Sequence, residues 1–232
     1  MKKLGIIGGM SWESTQTYYK VLNEGMRARL GGLHSAELLL FSFDFARIEA
    51  LQAAGDWQAA TDEMLKAARS LQAGGADMLL IATNTMHKMA EAVKAETKLP
   101  LLHIADATAH AVHKSDASTP LLLATNFTMT QDFYKGYLAR NHGIQVITPA
   151  PAHRGTIHKI IYDELCRGEV KASSKQAYLD IIAHYQSSGE ADSVIFGCTE
   201  IGLLLAQSDV DLPVFDTTQI HCDYALDALL SD

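Results

Sequence analysis

Thr83 and Cys198 stand 115 residues apart in a chain of 232, and each closes the same short pattern. Ala76-Asp77-Met78-Leu79-Leu80-Ile81-Ala82-Thr83 sets above Ala191-Asp192-Ser193-Val194-Ile195-Phe196-Gly197-Cys198 without a gap. Each segment follows a glycine that ends a helix pattern, begins Ala-Asp, runs through a four-residue strand pattern that is apolar but for Ser193, and finishes on a small residue and a nucleophile-type side chain. Two such groups facing one carbon from opposite sides could remove a proton from one face and return one to the other, which inverts a stereocentre. A thiol has a reference pKa of about 8.5, and a polar, helix-terminal setting lowers it, so Cys198 is expected to reach the thiolate near neutrality. A threonine hydroxyl is a far weaker acid and needs an adjacent base before it can abstract a proton. Thr83 is therefore expected to donate, from its hydroxyl or from a water it holds. Taken singly, a strand-end Cys is often a small buried hydrophobe and Thr-Asn-Thr a helix cap; the duplication is what argues for a site.

Other segments repeat in the same order. Leu99-Pro100-Leu101-Leu102 matches Leu212-Pro213-Val214-Phe215 at an offset of 113, and Leu4–Ile7 matches Leu121–Ala124 at 117. The turns after the first strands, Gly8-Gly9-Met10-Ser11 and Thr125-Asn126-Phe127-Thr128, then correspond, and Tyr18-Tyr19-Lys20 pairs with Phe133-Tyr134-Lys135. Both turns are expected to rim the site, with Met10, Ser11, Thr125 and Thr128 as candidate binding residues. Asn84, Thr85, Thr199 and Glu200 follow the two central positions directly and bring donors suited to a substrate's amino and carboxylate groups. Glu200 could also take a proton from a neighbouring side chain.

The elements that must position these groups are read from periodicity. Leu4–Ile7, Glu37–Phe43, Asp77–Ala82 and Leu101–Ile104 read as strands, and Ser14–Leu30 and Asp56–Gln72 as amphipathic helices. Such alternation predicts an α/β fold: two pseudo-symmetric lobes with parallel sheets flanked by helices, arising from internal duplication, with the active site in the cleft between them. The final helix pattern, His221–Leu230, is expected to return to the first half. The lobes are accordingly assigned to residues 1–104 plus 213–232 and to residues 105–212.

Composition narrows the partners. A net charge of −8 without a dense Lys/Arg cluster argues against nucleic acid and anionic membranes. The sequence shows neither a signal-peptide pattern nor an apolar run of roughly 20 residues that could span a bilayer. Three cysteines, Cys166, Cys198 and Cys222, form no CxxC pair and fit a reducing cytoplasm. Cys166 and Cys222 lack duplicated partners and read as structural. His110 and His113 share a helix face, but no further ligand lies at suitable spacing, so no metal is expected. Gly5-Ile6-Ile7-Gly8-Gly9 lacks the GxGxxG spacing of a dinucleotide loop.

Gly8-Gly9-Met10-Ser11-Trp12-Glu13-Ser14-Thr15, Thr83-Asn84-Thr85-Met86-His87-Lys88 and Phe196-Gly197-Cys198-Thr199-Glu200-Ile201 together resemble the aspartate/glutamate racemase family, in order and spacing over essentially the whole chain. The resemblance implies a two-lobed racemase of free amino acids, most simply aspartate and glutamate, that needs no cofactor and usually forms a homodimer. It implies two catalytic cysteines, one before Asn-Thr and one in Gly-Cys-Thr-Glu. Cys198 matches the second; Thr83 replaces the first. His87 follows the first motif at helical spacing and is expected to pack or cap. The alternatives are a related isomerase of the same fold, or an amino-acid-binding protein with little turnover.

Overall fold

In the computed structural model, residues 2–231 are described, and the chain divides into two units: 1–103 with 221–232, and 104–220. The first unit contains β1 (Leu4–Gly8), α1 (Trp12–Leu30), β2 (Leu38–Ser42), α2 (Phe45–Ala54), α3 (Trp57–Ala73), β3 (Met78–Ile81), α4 (Ala90–Thr97) and β4 (Leu101–Leu102). A 3-10 turn, Thr85–Met89, leads into α4. The strands are parallel in the order β2-β1-β3-β4. Successive strand residues point to opposite faces, and the core divides accordingly. Ile7, Leu79 and Ile81 pack with Met64, Ala68 and Leu71 of α3, whereas Leu4, Ile6 and Leu80 pack with Tyr18, Leu22 and Met26 of α1. A sheet covered on both faces explains why its strands read as continuous apolar runs.

The second unit contains α5 (Ile104–His113), β5 (Pro120–Leu123), α6 (Asn126–Thr130), α7 (Lys135–His142), α8 (Pro151–Asp163), α9 (Ala172–Ser187), β6 (Ser193–Phe196), α10 (Ile201–Leu204) and β7 (Val214–Asp216). Its strands run parallel in the order β5-β6-β7, and a parallel bridge from Leu121 to Ile147 adds a fourth position beside β5. The four-position order of the first sheet is thus repeated. The last helix, α11 (Thr217–Leu230), begins in the second unit and ends in the first, where Cys222, Ala225, Leu226 and Leu229 join the core. Conversely, α5 follows the last strand of the first sheet but packs in the second unit's core through Ile104, Ala105, Ala109 and Val112. Residues 213–220, which the sequence reading placed with the first lobe, group with the second unit because β7 hydrogen-bonds to β6.

The repeated Ala-Asp has a structural cause. The Lys3 backbone N–H donates to Asp77 Oδ2 at 2.6 Å, and the Ser118 backbone N–H donates to Asp192 Oδ2 at 2.7 Å. Both bonds span 74 residues and tie the start of a central strand to the chain entering its neighbour. Asp192 also accepts from the Ser118 hydroxyl and the Thr119 N–H. Burial pushes its carboxyl up, but these bonds and one from the Ser193 hydroxyl outweigh it and hold the pKa down at about 2.

A second repeat links each unit to its returning helix. Tyr18 of α1 donates to His221 Nδ1 on α11 at 3.0 Å, and the Tyr134 hydroxyl lies 3.2 Å from Thr108 Oγ1 on α5. Tyr18, not Tyr19, is therefore the counterpart of Tyr134; Tyr19 is exposed. The sequence match was one residue out of step because both positions carry tyrosine.

Candidate active site

Each unit gathers its candidate residues at the carboxyl ends of two neighbouring parallel strands. In the first, β1 ends at Gly8 and turns through Gly9, Met10 and Ser11, while β3 ends at Ile81 and leads to Thr83, Asn84 and Thr85. The Ala82 N–H donates to the Ile7 carbonyl at 2.9 Å, which keeps the two strand ends together. Gly9 is required here: its φ is +78°, and a Cβ would lie 2.3 Å from the Phe43 backbone nitrogen. Ser11 caps α1, accepting from the Ser14 N–H at 3.3 Å. In the second unit, the Gly197 N–H donates to the Leu123 carbonyl at 2.7 Å. Thr125 caps α6 through the Thr128 N–H at 3.4 Å, and its hydroxyl meets that of Thr128 at 3.2 Å. All eight candidate binding residues are buried. Buried polar side chains at strand ends are costly unless they are satisfied or serve a ligand.

The Cys198 thiol is 7% exposed and donates to Glu200 Oε2 at 2.9 Å, an oxygen that also accepts from the Thr199 hydroxyl at 2.9 Å. Cys166, half-buried after α8, lies 3.8 Å from the other oxygen, Oε1. Burial pushes the Cys198 thiol well above its ordinary pKa; the Glu200 carboxylate, Cys166 and the hydrogen bond to Glu200 add to this, and only the Glu200 backbone N–H opposes it. This reverses the expected lowering. The element that follows, α10, is a single turn of four residues, and an acidic side chain faces the sulfur. The sulfur is therefore favoured as a thiol, and it is hydrogen-bonded to the Glu200 side chain. Burial likewise raises the Tyr178 phenol, with Cys198, Glu200 and Cys166 contributing.

The equivalent positions of the first unit lack both partners. Thr83 stands for Cys198, and Thr85 for Glu200. Among the described residues nothing hydrogen-bonds to the Thr83 hydroxyl; its backbone carbonyl instead accepts from His87 Nδ1 at 2.7 Å. Asn84, at the start of the turn that follows, makes no side-chain capping bond to it.

Sequence reasoning took Cys166 as structural and did not place it or Tyr178 beside Cys198. Neither has a duplicated partner or motif, so no signal could have marked them. An open groove beside α1, lined by Tyr19, Lys20, Arg27 and Leu33, contains none of the site residues.

Parallel strands ending on a thiol–carboxylate pair in one unit, and on its hydroxyl counterpart in the other, define a duplicated α/β protein. A sequence profile described as Asp/Glu/Hydantoin racemase matches residues 7–225, and the chain belongs to that family. It is similar to a candidate Asp/Glu racemase from Yersinia pestis, with 49% identity, full coverage of both chains and a TM-score of 0.91. An aspartate racemase homologue from Pyrococcus horikoshii matches at 34% identity, again over both full chains, with a TM-score of 0.85. The aspartate racemase of Picrophilus torridus shares the fold at 23% identity and a TM-score of 0.77, over 99% of this chain and 94% of that one.

Proposed function

We propose that the chain racemises free amino acids, aspartate and glutamate foremost and with room for a broader range, without a cofactor. A proton is removed from Cα on one face and returned on the other, by Cys198 and Thr83. The observation that carries this reading is the 2.9 Å bond from the Cys198 thiol to Glu200, set against a Thr83 hydroxyl with no such partner. Glu200 takes the thiol proton, the thiolate removes the Cα proton facing it, and the carbanion is protonated on its other face by the Thr83 hydroxyl or a water it holds. Solvent then restores the Thr83 proton, and Glu200 gives its own proton up to solvent, which returns both residues to their starting forms. Thr83 is a good donor and a poor abstractor, so the two directions are chemically unequal. Because free enantiomers interconvert with an equilibrium constant of one, kcat/KM stays equal in both directions, and the inequality falls on kcat and KM separately or on slow turnover overall. The binding roles of Met10, Ser11, Asn84, Thr85, Thr125, Thr128 and Thr199, a homodimer and a cytoplasmic setting belong to the same proposal.

Chiral chromatography of a panel of L- and D-amino acids, with Cys198→Ala as control, tests it. Conversion that disappears in Cys198→Ala is expected. Conversion that survives the substitution overturns the role of Cys198, and tight binding of one amino acid without conversion of any leaves a binding protein instead.

A further inference from the structure

His87 is a buried acid–base group that the chemistry above does not use. It lies in the Thr85–Met89 turn, is 3% exposed, and places Nδ1 2.7 Å from the carbonyl oxygen of Thr83. A carbonyl only accepts, so Nδ1 carries the proton, and the nitrogen nearest Thr83 cannot take one from the threonine hydroxyl. Burial holds the ring neutral, and the neighbouring His103 and His221 strengthen this.

The ring is fixed from behind. Its centroid lies 4.6 Å from that of His103, at 61°, and 5.8 Å from that of His221. His221 is itself held at both nitrogens: Nε2 donates to the Leu102 carbonyl at 2.8 Å, so Nδ1 accepts from the Tyr18 hydroxyl. Residues of α1, β4 and α11 thus hold an imidazole against the Thr83 backbone.

The second unit has no such device. The position 115 residues on from His87 is Gly202, and a Cβ there would lie 2.7 Å from Asp216 Oδ2; Asp216 is the counterpart of His103 by the 113-residue match. Cys198 is served by a carboxylate at its side chain, Thr83 by an imidazole at its backbone.

Resting on the racemase reading above, we infer that His87 is a positioning residue for the Thr83 face alone, clamping the Thr83 backbone so that its hydroxyl or held water meets the carbanion. The Cys198 face does not depend on it.

The test follows, in deuterium oxide, the enantiomer of aspartate and of glutamate whose Cα proton faces Cys198, identified as the one that exchanges faster with the unaltered protein. Deuterium in recovered substrate reports same-face return by Cys198; deuterated product of opposite configuration reports protonation at the Thr83 face. His87→Leu is expected to lower inversion relative to same-face exchange by about tenfold or more, the scale of a misplaced reacting group. Same-face exchange should stay within about twofold of the unaltered protein. His87→Asn, whose amide N–H can still donate to the Thr83 carbonyl, should recover most of the inversion. A merely structural role would depress both channels at an unchanged ratio, and that result, or an unchanged ratio in a folded His87→Leu variant, overturns the inference. An unaltered protein that exchanges no amino acid sinks the racemase reading instead. Nitrogen-15 spectra of the His87 ring read the clamp without activity: a protected Nδ1–H supports it, and the opposite tautomer overturns it.

Discussion

At the scale of single residues, the two halves have the same frame and different chemistry. The thiol of Cys198 is protonated at rest because burial and a facing carboxylate disfavour the thiolate. In the proposed reaction this sulfur depends on Glu200 taking its proton. Glu200→Gln keeps the size of the side chain and loses the base, and racemisation should fall by about 10²–10⁴-fold, the usual contribution of a positioned general base. The residual activity should rise with pH, because deprotonation then waits on solvent. A Glu200→Gln variant with unaltered rate and pH profile would remove Glu200 from the mechanism. The same comparison predicts how to restore symmetry. Thr83→Cys supplies a thiol without its carboxylate, whereas Thr83→Cys with Thr85→Glu supplies both members of the pair. Single-turnover deuterium exchange should become similar from the two enantiomers only in the double variant. Equal exchange from both enantiomers in the unaltered protein would contradict the asymmetry itself.

At the scale of elements, the repeated features are latches between strands and helices. The Asp192 carboxylate holds the chain entering β5, and its pKa of about 2 lies below the unfolded value near 3.9. A depressed carboxyl stabilises the fold above the unfolded pKa, and that contribution is lost as pH falls toward 2. Asp192→Asn should cost about 1 kcal/mol at pH 7, allowing for partial exposure and solvent screening. The difference from the unaltered protein should shrink in denaturation curves taken toward pH 2. Tyr18→Phe probes the other latch. It removes the donor to His221 Nδ1 in a fully buried setting and should cost about 1–3 kcal/mol, the range for stranding a buried polar atom. Tyr19→Phe, at an exposed position, should change the denaturation midpoint little.

At the scale of the whole molecule, acid should weaken the fold well before the carboxylates protonate. Burial depresses the pKa of both His87 and His158. A histidine whose folded pKa lies below its unfolded value of about 6.5 leaves the unfolded chain binding more protons as pH falls through that value. Stability is therefore expected to drop between pH 7.5 and 5, by up to about 1.4 kcal/mol for each unit of depression traversed. Denaturant midpoints over this range check it. His87→Asn should flatten the dependence, and a midpoint equally steep in that variant would assign the effect elsewhere.

The sequence by itself determined the strand–helix alternation, the duplication and the strand-end placement of Thr83 and Cys198, because apolar periodicity and glycine or proline punctuation are local consequences of backbone geometry. It also carried the family. Tertiary structure decided what depends on residues distant in the chain. The direction of the Cys198 pKa shift follows from burial and from the side chains that face the sulfur, which spacing does not report. Cys166 reaches Glu200 across 34 residues with no motif to announce it. The repeated Ala-Asp was visible as a pattern, but its work, a hydrogen bond to a strand start 74 residues away, exists only once the parallel strands are side by side. Likewise, His87 stood in the motif from the beginning; that its Nδ1–H holds the Thr83 carbonyl, with His103 and His221 packed behind it, is a property of the folded core alone.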